Sequence, residues 1–310
     1  MTKYTYSIRN YTVEDFDNYI RFYQKIGRTD LEHTPGLALT IAERLNRPGY
    51  DPTRNLFLAF RGGDIIAYLD ITTETVIKRA VVDCIVLPTQ RRRGIATDLF
   101  NQALRYTGEI GIKRMHVNIS EDNTAARELL KALEFHFIRR YIQFGLNLDK
   151  LELPEINMTG TSVRYLETGE LPLLTDLQNQ IFTGTWGFNP NTVEEINYFF
   201  NYHRCHNSDI ILIVSATKVI GYCWIIPAGI HTQPTYEKTS RIHMFGIAPE
   251  FRGQKLGNLL LTKSLRALQK KGIEYVILTA DCSNEIACAL YYDCGFRPIS
   301  NSIWYEKKWP

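Results

Sequence analysis

The chain has 310 residues, a formal net charge of +3, 45% hydrophobic residues and 22% charged residues. That length is too great for one ordinary hydrophobic core and suits two domains of about 150 residues each. The charge is too small for nucleic acid to be the main partner, and no run of eighteen apolar residues predicts a membrane span. The first six residues lack the apolar core of a signal peptide, so the sequence predicts a cytoplasmic protein.

The cysteines and basic residues suggest no metal site and no nucleic-acid site. Six cysteines are scattered without the paired spacing of metal ligands, which is typical of buried thiols in a reducing compartment. The run His-Arg-Cys-His at 203–206 lacks a second ligand pair, so no metal is expected. The one dense basic run, three arginines at 91–93, is better explained as a solvated turn.

The first half of the chain predicts one order of strands and helices. Gly62-Gly63 joins two β-rich runs and indicates a hairpin, and Thr12 with Asp15 is close to a helix capping box. Strands are predicted at 6–9, 56–60, 65–71, 76–87, 115–119 and 135–148. Helices are predicted after Thr12, at 37–45, after Ile95 and at 124–133.

The second half repeats this order after a linker at 148–161 that shows no sustained periodicity. Strands are predicted at 162–166, 210–215, 219–227, 241–248, 275–280 and 303–307. Helices are predicted at 174–182, 193–202, 255–271 and 285–293. Each half is therefore expected to end with its own last strand.

Residues 247–296 have a degraded copy 161 positions upstream, with no insertion or deletion between the landmarks. Ile247 corresponds to Val86, Pro249 to Pro88, Arg252 to Arg91, Gly257 to Ala96, Asn284 to Asn123 and Phe296 to Phe135. Chance periodicity does not hold register over about fifty residues, so the chain is an internal duplication. We expect an N-terminal domain at 1–150 and a C-terminal domain at 161–310.

One connection differs in length between the copies. Gly221 aligns with Ala67 at an offset of 154 residues, whereas the landmarks from Ile247 onward align at an offset of 161. The second copy therefore has seven extra residues around 229–238. Extra loop length beside a site serves substrate or partner contact as readily as it represents a tolerated insertion.

In both copies a strand ends at a proline and runs into a basic, glycine-bearing turn that opens a helix. The first turn of a helix has N–H groups without partners and the positive end of the macrodipole. Gly253 and Gly257 let a ligand approach the backbone, and Arg252 adds charge. The pattern predicts an anion site, most naturally for a pyrophosphate. It is neither the dinucleotide fingerprint nor a Walker loop.

This turn, followed about thirty residues later by Asn284 and the pattern N-x-x-A-x-x-L-Y-x-x-x-G-F, resembles the acetyl-CoA loop and last motif of the GNAT acyltransferases. The tandem arrangement, over nearly the whole chain, is similar to mycothiol-synthase-like tandem GNATs. The resemblance implies an α+β (α/β) fold class. It implies two tandem GNAT acyl-CoA N-acyltransferase folds, each a mixed, mostly antiparallel sheet flanked by helices.

The resemblance also implies acetyl-CoA as co-substrate, with its pyrophosphate on the loop N–H groups and its pantetheine beside the preceding strand. The implied cofactor-binding residues of the C-terminal domain are Ile247, Ala248, Arg252, Gly253, Gln254, Lys255, Leu256, Gly257 and Asn284. Their N-terminal counterparts are Val86, Leu87, Arg91, Arg92, Arg93, Gly94, Ile95, Ala96 and Asn123. CoA binding in both domains and a purely structural N-terminal domain are both open.

Two residues are the catalytic candidates of the C-terminal domain. By resemblance Tyr291 faces the thioester sulfur, with a core aromatic as the alternative. His243 lies four residues before Ile247, so strand alternation places it on the same face as Phe245 and Ile247. Some GNAT enzymes carry a general base near this place, and the ordinary pKa of histidine suits it. A core histidine is the alternative, and Glu194 or Glu195 are alternative bases.

The N-terminal copy lacks these groups. Leu130 stands at the position of Tyr291, Val82 at that of His243, and Glu134 replaces the motif glycine. Leucine cannot donate a proton, so the N-terminal domain is expected to be catalytically degenerate.

The segment 182–192 of the C-terminal domain is expected to border the acceptor site. Trp186 and Phe188 among glycines form a poor core and a good pocket wall, and Glu194 follows them. We therefore expect an N-acetyltransferase that moves an acetyl group from acetyl-CoA to a primary amine of a small molecule. The alternatives are a non-catalytic acyl-CoA-binding or sensing protein, and a CoA-independent aminoacyl or peptidyl transferase.

Overall fold

A computed structural model of the chain describes residues 5–26, 36–149, 151–228 and 238–309. The strands are β1 (Ser7–Asn10), β2 (Leu56–Arg61), β3 (Asp64–Glu74), β4 (Arg79–Val86), β5 (Arg114–Ser120), β6 (His136–Asn147), β7 (Thr161–Tyr165), β8 (Ile210–Ser215), β9 (Lys218–Ile226), β10 (Thr239–Ile247), β11 (Tyr275–Asp281) and β12 (Arg297–Lys308). The helices are α1 (Phe16–Ile26), α2 (Leu37–Leu45), α3 (Pro52–Asn55), α4 (Ile95–Glu109), α5 (Thr124–Ala132), α6 (Leu171–Phe182), α7 (Val193–Tyr202), α8 (Leu256–Lys270) and α9 (Glu285–Asp293). Within these ranges, none of the helices combines the length and hydropathy needed to cross a membrane.

The first compact unit comprises Met1–Arg140 and Ser302–Pro310. Its strands pair in the order β1-β2-β3-β4-β5-β12, and every pair is antiparallel except β4 with β5. Side chains of α4 and α5 form one hydrophobic core with the sheet. Side chains of α1 and α2 form a second core that includes residues of β2 and β3.

The second compact unit comprises Tyr141–Asn301. Its strands pair in the order β7-β8-β9-β10-β11-β6, and β10 with β11 is the parallel pair. Helices α8 and α9 contribute to one core and α6 and α7 to the other. Each unit is thus a mixed, mostly antiparallel sheet flanked by helices, as the resemblance implied.

The last strands of the two repeats are exchanged between the units. The end of β12 pairs with β5 over residues 302–308, and β6 pairs with β11 over residues 141–147. The prediction that each half ends with its own last strand is wrong. The boundaries 1–150 and 161–310 follow the sequence repeat, whereas the compact units divide the chain differently. The predicted long connection at 229–238 lies mostly outside the described residues.

Glycine at position 221 is required by the close packing of β9 against β10. A Cβ atom on Gly221 would lie 2.6 Å from both Gly246 O and Ile247 Cδ1. We expect Gly221→Ala to lower the free energy of unfolding of the second unit by about 1–3 kcal/mol, because the core must shift to admit the methyl group. Urea denaturation measures the effect. Gly108→Ala is the control, because its Cβ would meet Trp309 Nε1 at an ordinary 3.7 Å. An unchanged midpoint for Gly221→Ala would contradict the packing described.

Candidate active site

In each unit the two parallel strands pair only near their N-terminal ends. Pairing of β10 with β11 covers residues 239–242, and in the described chain it goes no further although both strands continue. In the first unit, pairing of β4 with β5 covers residues 79–82. The unpaired halves leave a cleft between the strands directly before the basic turn. Backbone groups on such an edge can bind a ligand.

His243 is the extra residue of a β-bulge in β10. Ile242 faces Ile225 of β9 and Met244 faces Trp224, so two steps along β10 correspond to one step along β9. A bulge redirects a side chain and ends regular pairing locally. Here it coincides with the point where β10 and β11 stop pairing.

His243 packs against α7 and the neighbouring strand β9. Its ring stacks on Phe199 with 4.2 Å between centroids and meets Trp224 edge-on at 5.5 Å. Phe245 and Ile247 instead pack in the core with α8 and α9. The prediction that His243 shares a face with these two residues is wrong, because the bulge interrupts the two-residue alternation of the strand.

The first unit has no counterpart of His243 on its regular β4 strand. Val82 pairs with Val117, just as Ile242 pairs with Leu278 in the second unit. The register of β4 with β3 is continuous. Val82 is therefore the counterpart of Ile242, and the prediction that it replaces His243 is wrong.

The protonation of His243 is set by its surroundings. Burial, and after it the Arg241 guanidinium, lowers the pKa of His243 to about 3. The imidazole is therefore neutral at pH 7. Neither ring nitrogen has a hydrogen-bond partner in the described ranges. Such a ring can accept a hydrogen bond from a substrate but takes up a proton reluctantly.

We expect His243→Phe to reduce the loss of thermal stability on acidification. The pKa is about 3 in the folded protein and about 6.5 in the unfolded chain. The unfolded chain therefore binds more protons as pH falls below 6.5, which destabilises the wild type by an amount on the order of 1–2 kcal/mol at pH 5. Phenylalanine keeps the stacking on Phe199 and cannot bind a proton, so it removes this acid-dependent destabilisation. Melting temperatures of the wild type and the variant at pH 7 and pH 5 measure the effect. An equal fall in melting temperature for both proteins would contradict the lowered pKa.

The basic turns of the two units share one backbone conformation. In the second unit φ is +77° at Gly253 and +60° at Lys255. In the first unit the aligned positions, Arg92 and Gly94, have φ of +62° and +81°. Each loop thus has two left-handed positions. Glycine occupies the first of them in the second unit (Gly253) and the second of them in the first unit (Gly94). Lys255 adopts this conformation in place of glycine, at a strain of roughly 1–2 kcal/mol.

These turns leave backbone donors without protein acceptors. In the described part of the second unit, the N–H groups of residues 253–257 make no hydrogen bond, and α8 begins at Leu256. In the first unit the same holds for Gly94, Ile95 and Ala96 ahead of α4. Leu256 and Ile95 have buried side chains, so only their backbone can reach a ligand. Such N–H groups at a helix N-terminus can hold a pyrophosphate.

Arg252 positions the turn. Its Nε donates to Ile247 O at 3.0 Å, and a terminal nitrogen donates to Ile181 O at 2.8 Å. Arg91 makes the matching contact in the first unit, from Nε to Val86 O at 3.3 Å. These arginines fix the turn to the end of the preceding strand.

The residues that close each strand already use their backbone groups. Ala248 N donates to Ile220 O at 2.8 Å, and its carbonyl accepts from Phe251 N at 2.9 Å. Leu87 N donates to Ile66 O at 3.0 Å. The N–H group of Ala248 is therefore not available to a cofactor.

Asn284 and Asn123 are helix N-caps. Asn284 Oδ1 accepts from Ala287 N, and Asn123 Oδ1 accepts from Ala126 N, both at 3.1 Å. The capping bonds use the amide oxygens. Any bond from these residues to a cofactor would come from the amide nitrogens.

Tyr291 of α9 packs in the hydrophobic core of the second unit. It is 7% exposed, and its ring packs against Phe144, Phe245 and Phe296 with centroid distances of 5.9, 6.3 and 5.9 Å. Its hydroxyl makes no hydrogen bond to the residues that the structure describes. Burial raises its pKa well above the ordinary value of tyrosine, so it stays protonated. Leu130 is buried in the corresponding core of the first unit.

The predicted acceptor segment lies between α6 and α7. The Trp186 ring lies 6.3 Å from that of Tyr141, and the Phe188 ring lies 5.7 Å from that of Phe182. A Cβ on Gly246 would lie 3.4 Å from Phe182 Cζ. Phe182 thus connects this segment to the unpaired half of β10.

The acidic candidates differ in their environment. Glu195 Oε2 accepts from Thr192 N at 2.7 Å in a capping box, while Glu194 is exposed on the first turn of α7. Asn189 was missed by the sequence reasoning, and its Oδ1 is buried without a hydrogen-bond partner among the residues that the structure describes. A lone asparagine beside a proline gave no signal for this. Phe199, which stacks on His243, was also missed.

Comparisons with known proteins agree with this architecture. The model of the acetyltransferase (GNAT) family matches residues 27–135 and 171–296. A mycothiol acetyltransferase of Streptomyces coelicolor is 23% identical over 300 residues, covering 95% of this chain and 92% of that protein. One from Amycolatopsis mediterranei is 24% identical over 304 residues, covering 92% and 97%.

Solved structures share the fold across nearly the whole chain. A GCN5-related N-acetyltransferase from Sphaerobacter thermophilus has a TM-score of 0.73 at 17% identity, covering 98% of this chain and 95% of that one. A tandem GNAT protein from the clavulanic acid biosynthesis pathway has a TM-score of 0.71 at 15% identity, covering 98% of both chains. The family model matches most of the sequence in two segments, and both units have the same fold. The chain belongs to the acetyltransferase (GNAT) family and is a tandem, mycothiol-synthase-like acyltransferase.

Proposed function

We propose that this enzyme transfers the acetyl group of acetyl-CoA to a primary amine of a small molecule, and that the chemistry belongs to the second unit. One observation carries the proposal. The strand cleft, the N–H groups of residues 253–257 that make no hydrogen bond in the described chain, and the hydroxyl of Tyr291 occur together there. Family membership supports acetyl-CoA as the donor, and no metal is assigned a role.

In the proposed reaction, the loop N–H groups hold the pyrophosphate and the cleft between β10 and β11 holds the pantetheine. The amine nitrogen attacks the thioester carbon, the C–N bond forms, the C–S bond breaks, and the amine proton leaves to water. Tyr291 donates a hydrogen bond to the departing thiolate. Its raised pKa exceeds that of a thiol, about 8.5, so stabilisation by this bond is favoured over complete proton transfer.

His243 is assigned to orienting the amine. A neutral imidazole with a pKa of about 3 accepts a hydrogen bond from an N–H group and is a weak base at pH 7. Its place at the bulge, where the cleft begins, supports this role. Trp186, Phe188 and Glu194 are the proposed acceptor contacts, and the open oxygen of Asn189 is suited to an ammonium or hydroxyl donor.

The first unit is proposed to bind CoA without catalysing transfer. Its loop has the same two left-handed positions, and in the described chain the N–H groups of Gly94, Ile95 and Ala96 make no hydrogen bond. Leu130 supplies no donor to a leaving group, and the strand has no bulge residue.

The test is release of free CoA thiol by the whole chain, with acetyl-CoA and a panel of primary amines. We expect release that depends on the amine and a matching N-acetyl product by mass spectrometry. Acetyl-CoA binding without amine-dependent release across the panel would favour the acyl-CoA-binding alternative. Transfer of an aminoacyl group without any CoA ester would favour the other alternative.

A further inference from the structure

Asn179 ties the far end of the acceptor segment, residues 182–192, back to α6. Its Oδ1 accepts from Asn191 N, and its Nδ2 donates to Asn191 O, both at 2.9 Å. An asparagine amide is suited to this contact, because it offers an acceptor and a donor to one backbone residue. These two bonds, the Asn179 clasp, close the segment into a loop whose two ends meet on the last turn of α6.

The clasp supports the groups that are proposed to contact the amine. Asn191 Nδ2 donates to Asn189 O at 3.3 Å, and Asn189 has the buried oxygen assigned to an incoming donor. Inside the loop, Phe188 N donates to Thr185 O at 3.2 Å, and Thr185 N donates to Phe182 O at 2.9 Å. The turns shape the loop, and the clasp holds the end that carries Asn189.

The end of α6 is itself fixed beside the pyrophosphate turn. Arg252 donates to Ile181 O at 2.8 Å, and Gln180 Nε2 donates to Glu250 Oε1 at 3.1 Å. A Cβ on Gly246 would lie 2.5 Å from Ile181 Cγ2, so α6 packs closely on the half of β10 that does not pair with β11. The clasp therefore attaches the acceptor segment to an element that is already held against the turn and the strand.

We infer that Asn179 is a positioning residue for the amine acceptor, and this inference rests on the function proposed for the second unit. It keeps the segment closed, so that Trp186, Phe188 and Asn189 are presented together. A site that binds only when closed loses affinity in proportion to the closed population that is lost. Two hydrogen bonds of ordinary net strength change that population by about tenfold or more.

Kinetics of Asn179→Ala in the whole chain test the inference. We expect the KM for the amine to rise about tenfold, because part of the population is open. The kcat at saturating amine and the affinity for acetyl-CoA should stay within about twofold of wild type, because a saturating amine restores the closed state. Asn179→Asp keeps the size of the side chain and replaces the donor to Asn191 O by an acceptor. It should show the same separation of KM from kcat.

Asn201→Ala is the matched control. Asn201 lies near the C-terminal end of α7, is exposed, and donates to Asn197 Oδ1 at 3.3 Å. The substitution changes helix propensity in the same way and leaves the clasp intact. The control should keep the wild-type KM for the amine.

Cleavage by chymotrypsin measures the closed state without any amine. This protease accepts large hydrophobic side chains, and the segment contains Phe182, Trp186 and Phe188. When opening is fast, the cleavage rate follows the open population. Below the melting temperature, Asn179→Ala should be cut within the segment about tenfold faster than wild type, whereas Asn201→Ala should not. Mass spectrometry locates the cut.

The outcomes separate this inference from the proposed function. Faster cleavage with an unchanged amine KM would show that the clasp is only structural and would overturn the inference. Unchanged cleavage, an equal rise of the amine KM in Asn201→Ala, or a loss of acetyl-CoA affinity in Asn179→Ala would also overturn it. A wild-type protein that releases no CoA with any amine would overturn the proposed function and this assignment with it.

Discussion

Tyr291→Phe is expected to lower kcat for acetyl transfer by about 10²- to 10³-fold, the usual cost of removing one positioned hydrogen-bond donor. Phenylalanine keeps the ring contacts with Phe144, Phe245 and Phe296 and removes only the hydroxyl. Acetyl-CoA affinity should change little, because that hydroxyl has no partner in the described chain before the reaction. Steady-state release of CoA with a saturating amine measures the effect.

Tyr292→Phe is the matched control. Tyr292 is the next residue of α9, is 42% exposed, and also contacts Phe144, at 5.3 Å. The Tyr292→Phe enzyme should retain wild-type kcat. A Tyr291→Phe enzyme with unchanged kcat, or equal losses in the two variants, would remove Tyr291 from the mechanism. A fall close to tenfold would leave water as an adequate stabiliser of the thiolate and would also contradict the expected size.

Gly257→Glu is expected to weaken acetyl-CoA binding to the second unit at least about a hundredfold. The new carboxylate would stand on the second residue of α8, beside the unpaired N–H groups. Like charges brought together cost several kcal/mol, and each 1.4 kcal/mol is a factor of ten. Calorimetric titration with acetyl-CoA measures the affinity and the number of sites.

Gly257→Ala separates charge from bulk. Its Cβ would lie 3.4 Å from Leu290 Cδ2 and 3.9 Å from Phe245 Cζ, which the core can accommodate, and the first unit already has Ala96 at this position. Alanine should bind acetyl-CoA nearly as the wild type does. If Gly257→Glu combined with Ala96→Glu leaves acetyl-CoA affinity unchanged, the loops are not the phosphate sites.

The features with a local cause were predictable from the sequence. The proline, basic turn and helix start of each repeat are close in the chain, and the turns have matching φ angles. The left-handed conformation of Lys255 could also have been predicted, because Gly94 occupies the aligned position. The two-sided sheet followed from the repeat and the resemblance.

The features with a distant cause were not predictable. Nothing in the sequence of β6 or of β12 indicates that β11 or β5 is its partner. The bulge at His243 arises from the register against β9, and the sequence around it still reads as a regular strand. The Asn189 oxygen has no hydrogen-bond partner in the described chain because of how distant residues pack around it.

The exchange of strands determines how the placement of the chemistry must be tested. A fragment of residues 161–310 would lack β6, which completes the sheet of the second unit. Poor activity of such a fragment would report incomplete folding rather than catalytic competence. Variants of the whole chain avoid this problem, and the aligned positions Ala96 and Gly257 offer the same change in each loop.

The most direct test is amine-dependent CoA release by full-length Ala96→Glu and Gly257→Glu, assayed side by side at one acetyl-CoA concentration well below the wild-type KM. Ala96→Glu should keep wild-type turnover within about twofold, and Gly257→Glu should lose at least about a hundredfold, since several kcal/mol of binding are removed only from the second unit. Thermal melts should first show that both variants fold. Loss confined to Ala96→Glu, or equal loss in both, would contradict acetyl transfer in the second unit.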